Sequence, residues 1–579
     1  MKKYLILSLV LLSVLNSCNS TSDKENNAFE QYKNSFIDSL WKLYPDWATS
    51  VGYHNYDSLM YIPSTSQREK EKIFFNKQLN QLQQFDYSKL SETNKIDYKI
   101  VENFFQYSIW QIEQYKSWEW NPADYNVGST FYYILSENYA TLRDRIQNFY
   151  KRLKDVPTYY EAAKQNIKNP SDVHLKLAIS QNEGTLSIFE TSLKDSLNTL
   201  TLNDSMKNDF LKRNEDAINA IKSYIRFLQN FKNEHPRSFR LGATLYEDKF
   251  KYEIQSAYTA DEIYQAALNR KKYLHEEMGK LARQLWKKYF HDAQMPNDTL
   301  LLIRKVIDTI SVQHVKPEDF KSEIERQLPL QADFVRKKNL LYMDPNKPLK
   351  VRNEPGFMAG VAGASMSSPG PYEKNGTSYY NVGTLDGWSA EKAESYLREY
   401  NKYVLQILNI HEAIPGHYVQ LMYSNQSPSI IKSILGNGAM IEGWAVYAEY
   451  MMMENGYGNG ADSAEFWLMY YKWNLRTVCN AILDIGVHTK NMSEAEALDL
   501  LTRQAFQQQA EAEGKWNRVQ VTNVQLTSYF TGFYEILQLR EAYQKEKKEK
   551  YSLKEFNETF LSFGSAPIKY IREMMLGKD

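Results

Sequence analysis

From Phe29 onward, apolar residues recur at three- and four-residue spacing through most of the chain. Ile218, Ile221, Ile225 and Leu228 form one such stripe, and Leu274, Met278, Leu281 and Leu285 form another. This spacing lines one face of an α-helix and predicts core-facing helices. Turn signals interrupt at Pro45-Asp46, Asn169-Pro170, His235-Pro236 and Asp344-Pro345, because the residue before proline disfavours helix. No fixed-period repeat indicates a solenoid. The texture changes between Lys347 and Trp388, where Gly356, Gly360, Gly363, Gly370, Gly376, Gly383 and Gly387 crowd together and Ser378–Val382 reads as a short strand. The pattern therefore predicts a mainly α protein: a helical region over 29–345, a boundary near Pro345, and a second region over 346–579 opened by a small Gly-rich strand-and-loop insert. That insert is either a connector or the wall of a cleft whose glycines let backbone approach a ligand.

The first residues follow a different pattern. Lys2 and Lys3 precede an apolar run from Tyr4 to Leu12, and Leu15-Asn16-Ser17-Cys18 closes it. The run is shorter than the ~20 residues that span a bilayer and reads as a signal peptide over 1–17. Ser17 before Cys18, with Leu15 three residues upstream of the cysteine, resembles the bacterial lipobox, which implies lipidation of Cys18. Residues 18–28 are polar, unpatterned and expected to be a flexible tether. Asn19 is not the aspartate that favours inner-membrane retention, which points to the outer membrane of a bacterial envelope.

Composition narrows the remaining classes. Of 579 residues, 70 are Lys or Arg and 70 are Asp or Glu, so no global field favours nucleic acid or an anionic membrane. Apolar residues make up 43% and charged residues 24%, the balance of a folded body rather than of a disordered chain. With Cys18 lipidated, Cys479 is the one thiol left and no intramolecular disulfide forms, so stability must come from packing. No later segment offers an uninterrupted apolar run long enough to span a membrane.

Chemistry enters at His411-Glu412-Ala413-Ile414-Pro415-Gly416-His417, which holds two of nine histidines. Six residues advance a regular helix by about 600°, leaving the two rings roughly 120° apart. Pro415 cannot donate to the carbonyl of His411, and its ring crowds that carbonyl. The helix must therefore bulge or unwind there, which predicts a distorted turn that swings His417 back beside His411. Zinc held by two histidines needs a further ligand, commonly a carboxylate. Glu442 and Glu449 lie seven residues apart, about 700° around a helix, and so share one face among apolar neighbours. Glu442 is the expected third ligand, and Glu449 is expected to orient a histidine through its other ring nitrogen.

HEAIPGHYVQ from His411 and EGWAVYAE from Glu442 resemble the signatures of a widespread bacterial family of unknown function, often secreted lipoproteins. Its His-Glu-x-x-Pro-Gly-His motif relates it to zinc metallopeptidases of the thermolysin-like, glutamate-liganded type. The likeness covers nearly the whole mature chain. Tyr44–Gly52 with Asp57, Gly242–Tyr246, Asp484–His488, and Gln525–Tyr529 with Gly532 and Leu539-Arg540 resemble further family elements. Where the family usually has Pro-Gly before the glutamine, this chain has Asn523-Val524. The resemblance implies a large, mainly helical, two-lobed metallopeptidase-like fold with the strand insert beside the active-site helices.

The residues then take roles. A zinc ion on His411, His417 and Glu442 would keep one water with its pKa lowered toward ~7, and Glu412 would serve as general base for attack on a peptide carbonyl. Tyr529 or His488 is the candidate donor to the oxyanion, with Asp484 orienting His488 from one helical turn away. Asn381 is expected on a cleft-edge strand to which a peptide adds by backbone pairing. Arg518 and Arg540 are candidates for a substrate carboxylate or for structural ion pairs. Short peptides are the expected substrates. Open alternatives are a zinc amidase or esterase on another substrate, a non-catalytic peptide- or ligand-binding lipoprotein, and a different divalent metal such as iron.

Overall fold

The computed structural model describes residues 2–201, 203–347, 349–354, 364–373 and 376–577, with side chains from residue 22 onward. The protein is about 72% helical with one three-stranded sheet, as the apolar spacing predicts. Ile221, Ile225 and Leu228 are buried on the helix Asp204–Gln229, and Leu274, Met278 and Leu285 on Ala260–Phe290. No helix among the described residues is long and apolar enough to cross a membrane.

The chain forms two compact units, Met1–Phe239 with Gly370–Glu373, and Arg240–Pro369 with Lys374–Asp579. The division therefore falls at Phe239, not near Pro345. Residues 240–345 belong with the second unit because their polar and apolar groups are used there. Arg240 Nη2 donates to the Met492 carbonyl at 2.7 Å, Tyr246 to Asp484 at 2.8 Å, and Arg270 Nε to Asn474 at 3.2 Å. Within the glycine-rich stretch, Gly370–Glu373 belongs to the first unit and its flanks to the second.

The first unit is an all-helical body around an aromatic-rich core that includes Phe131, Phe149, Phe189 and Tyr224. Its first helix, Lys2–Leu43, corrects the expectation of a flexible tether to residue 28. Ser22 Oγ and Asn26 Nδ2 both donate to the Lys89 carbonyl, and Glu25 accepts from the Asp86 N–H at 2.8 Å, so the chain is docked from Ser22 onward. The side chains of the expected signal peptide, and that of Cys18, lie outside the described residues.

In the second unit the sheet joins β1 (Leu349–Asn353), β2 (Ala364–Ser367) and β3 (Ser378–Val382) in the order β1-β3-β2. β3 is the predicted strand, but it is central, parallel to β1 and antiparallel to β2. Gly356, Gly360 and Gly363 lie outside the described residues. Seven helices carry the residues of interest: α1 (Ala390–Glu399), α2 (Val404–Glu412), α3 (His417–Ser424), α4 (Gly438–Glu454), α5 (Ser463–Thr489), α6 (Gln509–Val521) and α7 (Ser528–Lys547).

Candidate metal centre

α2 is buried almost all round, through Val404, Leu405, Ile407, Leu408 and Ile410, so its polar residues stand out. Asn401 caps its start, accepting from the Tyr403 and Val404 N–H groups. The end is set by Pro415, which has no N–H to continue the ladder. The Ala413 and Ile414 N–H groups both donate to the Asn409 carbonyl, and the Gly416 N–H reaches the Ile410 carbonyl at 2.9 Å. The Ile414–Pro415 peptide bond is cis. The predicted distortion is thus a complete break, with α3 starting anew at His417, rather than a bulge within one helix. A Cβ on Gly416 would lie 1.8 Å from the His411 carbonyl oxygen, so only glycine fits this turn. The break stands the two imidazoles at right angles with centroids 4.8 Å apart.

α4 supplies the third group. Asn437 caps it through the Met440 N–H, and the helix crosses α7 at unusually close range. A Cβ on Gly443 would meet the Gly532 backbone at 2.4 Å, and one on Gly532 would meet the Ala439 carbonyl oxygen at 1.8 Å. That glycine contact puts Glu442, beside Gly443, near Tyr529, three residues before Gly532. Glu442 Oε2 lies 3.3 Å from His417 Nε2 and 3.7 Å from His411 Nε2. His411, His417 and Glu442 are the cluster of metal-capable groups found among the described residues, their ligand atoms all within 4.8 Å of one another.

The group behind this triad is also as expected. His411 Nδ1 is 2.7 Å from Glu449 Oε1, which leaves Nε2 facing Glu442. Glu449 is fully buried and accepts a second hydrogen bond from Trp473 Nε1 at 3.0 Å, a partner no sequence pattern announced. On the other side of α2, Tyr380 of β3 donates to Asn409, whose amide donates to Gln327, so the insert lies against the helix that carries His411.

Electrostatics fit a cation. Burial works against a charged His411, but Glu442 and Glu449 outweigh it and lift its pKa to about 10. Burial likewise opposes ionised Glu442, but His417 and His411 hold it well below the ordinary carboxylate value. Glu449 and Glu412 are both pushed up, first of all by burial. Glu442 Oε2 is buried without a hydrogen bond. Two imidazole nitrogens and an ionised carboxylate oxygen converging on one point are a donor set suited to zinc, and they fit that ion.

The other expected residues divide. Tyr529 stacks near-parallel to His411 with centroids 6.5 Å apart, beside Arg518 and Gln525; burial raises its hydroxyl to about 12. Arg518 is exposed and donates to Gln525 at 2.8 Å. His488 is corrected as an oxyanion donor: its Nε2 lies 2.9 Å from the carbonyls of both Val519 and Thr522, so that nitrogen is spent on backbone. Asp484 does not serve His488 through the expected pair but accepts from Tyr246 and from the Val524 and Leu526 N–H groups. Val524, where the family usually has glycine, sits at φ 72°, a backbone conformation that glycine adopts freely and valine does not. Asn381 is corrected as an edge residue: β3 is paired on both sides, and the fully buried side chain accepts from Arg352 and donates to Ser365 and Ser367. Arg540 is corrected likewise, being ion-paired to Glu454 and bonded to Tyr551.

Residues 45–575 match the family model described as "Bacterial protein of unknown function (DUF885)". The chain belongs to this family. Two solved structures, each described as a "putative lipoprotein", resemble it. One, from Shewanella oneidensis and of unknown function, is 48% identical with a TM-score of 0.86, covering 95% of this chain and 99% of its own. The other, from Colwellia psychrerythraea, is 16% identical with a TM-score of 0.77 over 96% and 98%, a likeness of fold alone. No curated protein matches the chain.

Proposed function

We propose that this protein is a lipid-anchored envelope hydrolase that uses zinc to cleave short peptides. The observation that carries the reading is the buried Glu442 Oε2 facing two imidazole Nε2 atoms at 3.3 and 3.7 Å, with Glu412 following His411 directly in sequence. A metal site needed only for structure would have no use for that second carboxylate. Zinc on His411, His417 and Glu442 would supply Lewis-acid polarisation of the scissile carbonyl. Glu412 takes the proton of the attacking water and passes it to the leaving amine; its raised pKa brings it nearer neutrality, where a general base works best. Glu449 fixes the His411 ring and its tautomer. Tyr529 keeps its proton at neutral pH and donates a hydrogen bond to the developing oxyanion. Lipidation rests on Ser17-Cys18 and on the description of the two structural neighbours. Outer-membrane residence rests on Asn19, and recovery of the tagged protein in the inner-membrane fraction would overturn it.

The test is elemental analysis of the purified protein beside His417→Ala and Glu412→Gln, coupled to turnover of a mixed short-peptide library. About one zinc per chain in the wild type, its loss in His417→Ala, and metal without cleavage in Glu412→Gln is the expected set. A wild type that takes up no divalent metal on reconstitution sinks the reading.

A further inference from the structure

Trp473 does two things at once. Its indole N–H holds Glu449, the carboxylate behind His411, while its ring carries the guanidinium of Arg476, one turn further along α5, at 4.8 Å from the centroid. Arg476 Nη2 pairs with Glu511 Oε1 of α6 at 2.9 Å. Tyr400 lies against the pair, with its ring 6.3 Å from that of Trp473. Although enclosed by these aromatics, the Arg476 and Glu511 side chains keep 25% and 21% of their area accessible, as Glu442 keeps 22%.

One feature sets this pair apart from a finished structural bridge. Arg476 Nη1 and Glu511 Oε2 are buried atoms with no hydrogen bond among the described residues. A pair taken out of water offsets its desolvation only when the remaining donors and acceptors are satisfied. Lys472 is matched by Glu399 at 2.6 Å, and Lys515, bonded to the neutral Asn480, has its pKa lowered to about 7, first of all by burial. Arg476 and Lys472 balance Glu511 and Glu399, so the opening for a further anion is the unsatisfied Arg476 Nη1. Arginine presents a planar fork suited to a carboxylate.

We propose that Arg476, held on Trp473 by Glu511, receives the free C-terminal carboxylate of the peptide whose carbonyl lies at the His411, His417 and Glu442 centre. The protein then acts near a free C-terminus, as a carboxypeptidase or dipeptidase does, with the aromatic wall of Trp473 and Tyr400 beside the last side chain. This deepens the hydrolase reading and rests on the cleft being a peptide site.

The test is calorimetric binding to the zinc-loaded mature protein carrying Glu412→Gln, with Ala-Ala-Phe and its C-terminal amide as probes. The free acid is expected to bind at least tenfold tighter than the amide, with Arg476→Gln removing the difference and Arg476→Lys keeping part of it. If Arg476→Gln fails to fold because Glu511 is left unpaired, the double variant with Glu511→Gln removes both charges and is read instead. Equal affinity for acid and amide, no binding of either, or discrimination that survives loss of Arg476 overturns the proposal. Zinc content and turnover are measured separately. A protein that discriminates acid from amide through Arg476 but cleaves neither sinks the hydrolase reading and leaves this one standing.

Discussion

His411 and His488 are both buried histidines on helices of the second unit with carboxylates nearby, yet the protein uses them in opposite ways. His411 has one nitrogen fixed by Glu449 and the other turned toward an ionised carboxylate and a second imidazole. His488 has its Nε2 closed off by two backbone carbonyls, and its neighbour Asp484 is occupied with the turn that precedes Tyr529. Burial and a nearby acid do not make a ligand. What separates them is whether the Nε2 atom is taken by backbone carbonyls or faces a carboxylate shared with a second imidazole.

The sharpest way to break the contrast is in turnover. Glu412→Gln is expected to lower peptide hydrolysis by about 10²–10⁴-fold while zinc is retained. His488→Gln, once folded, should leave kcat/KM within a few-fold. A comparable loss in both at unchanged zinc content returns His488 to the catalytic group. Zinc affinity separates the two carboxylates next: Glu449→Ala should weaken it about 10–100-fold, whereas Asp484→Asn should leave it alone and lower the thermal midpoint instead, since three donors lose a charged acceptor. Competitive chelation and thermal unfolding read the two effects.

The pH response should have opposite signs. In the metal-free protein His411 has its pKa raised from 6.5 to about 10, so its contribution to stability is complete below pH 6.5 and lost as pH climbs toward 10. His488 has its pKa lowered by burial, so its contribution is present above pH 6.5 and lost as pH falls below that value. Denaturant titrations across pH 5–10 of wild type and of each histidine variant check both signs. For the same reason zinc uptake at pH 7 should release about one proton from His411, measured by calorimetry in buffers of different ionisation enthalpy. The smallest effect expected is at Val524. Replacing it with glycine relieves the positive φ and should stabilise the protein by about 1 kcal/mol, less the extra backbone entropy of glycine. A thermal midpoint that falls instead would mean that the valine side chain, fully buried, contributes more by packing than the backbone loses.

The approach of His417 to His411 and the shared face of Glu442 and Glu449 were legible because their geometry is local or helical. Pro415 in the middle of the motif disrupts the helix, though whether by a bulge or a full break the sequence does not say, and a spacing of seven puts Glu442 and Glu449 on one face whatever surrounds them. The polar tether was misread beyond Ser22 because its hydrogen-bond partners, Lys89, Asp86 and Ser91, are more than sixty residues away. Asn381 was misplaced because strand order within a sheet is set by long-range pairing, and a β-type run does not say whether it is central or at an edge. Arg540 reads the same in sequence whether it meets a substrate or Glu454. Trp473 and Arg476 gave no signal at all, because their roles depend on partners on α4 and α6.

The sequence by itself determined the helical class, a disruption of the helix at Pro415 and the shared face of Glu442 and Glu449. These follow from backbone geometry and side-chain chemistry over a few residues. Only the tertiary structure decided that α4 and α7 touch at Gly443 and Gly532, that Glu442 and Tyr529 thereby come beside His411, that His488 and Asp484 serve the backbone, and that Trp473 reaches Glu449 and Arg476 reaches Glu511. Those are properties of burial and of distant partners, and burial is created when separate helices pack together.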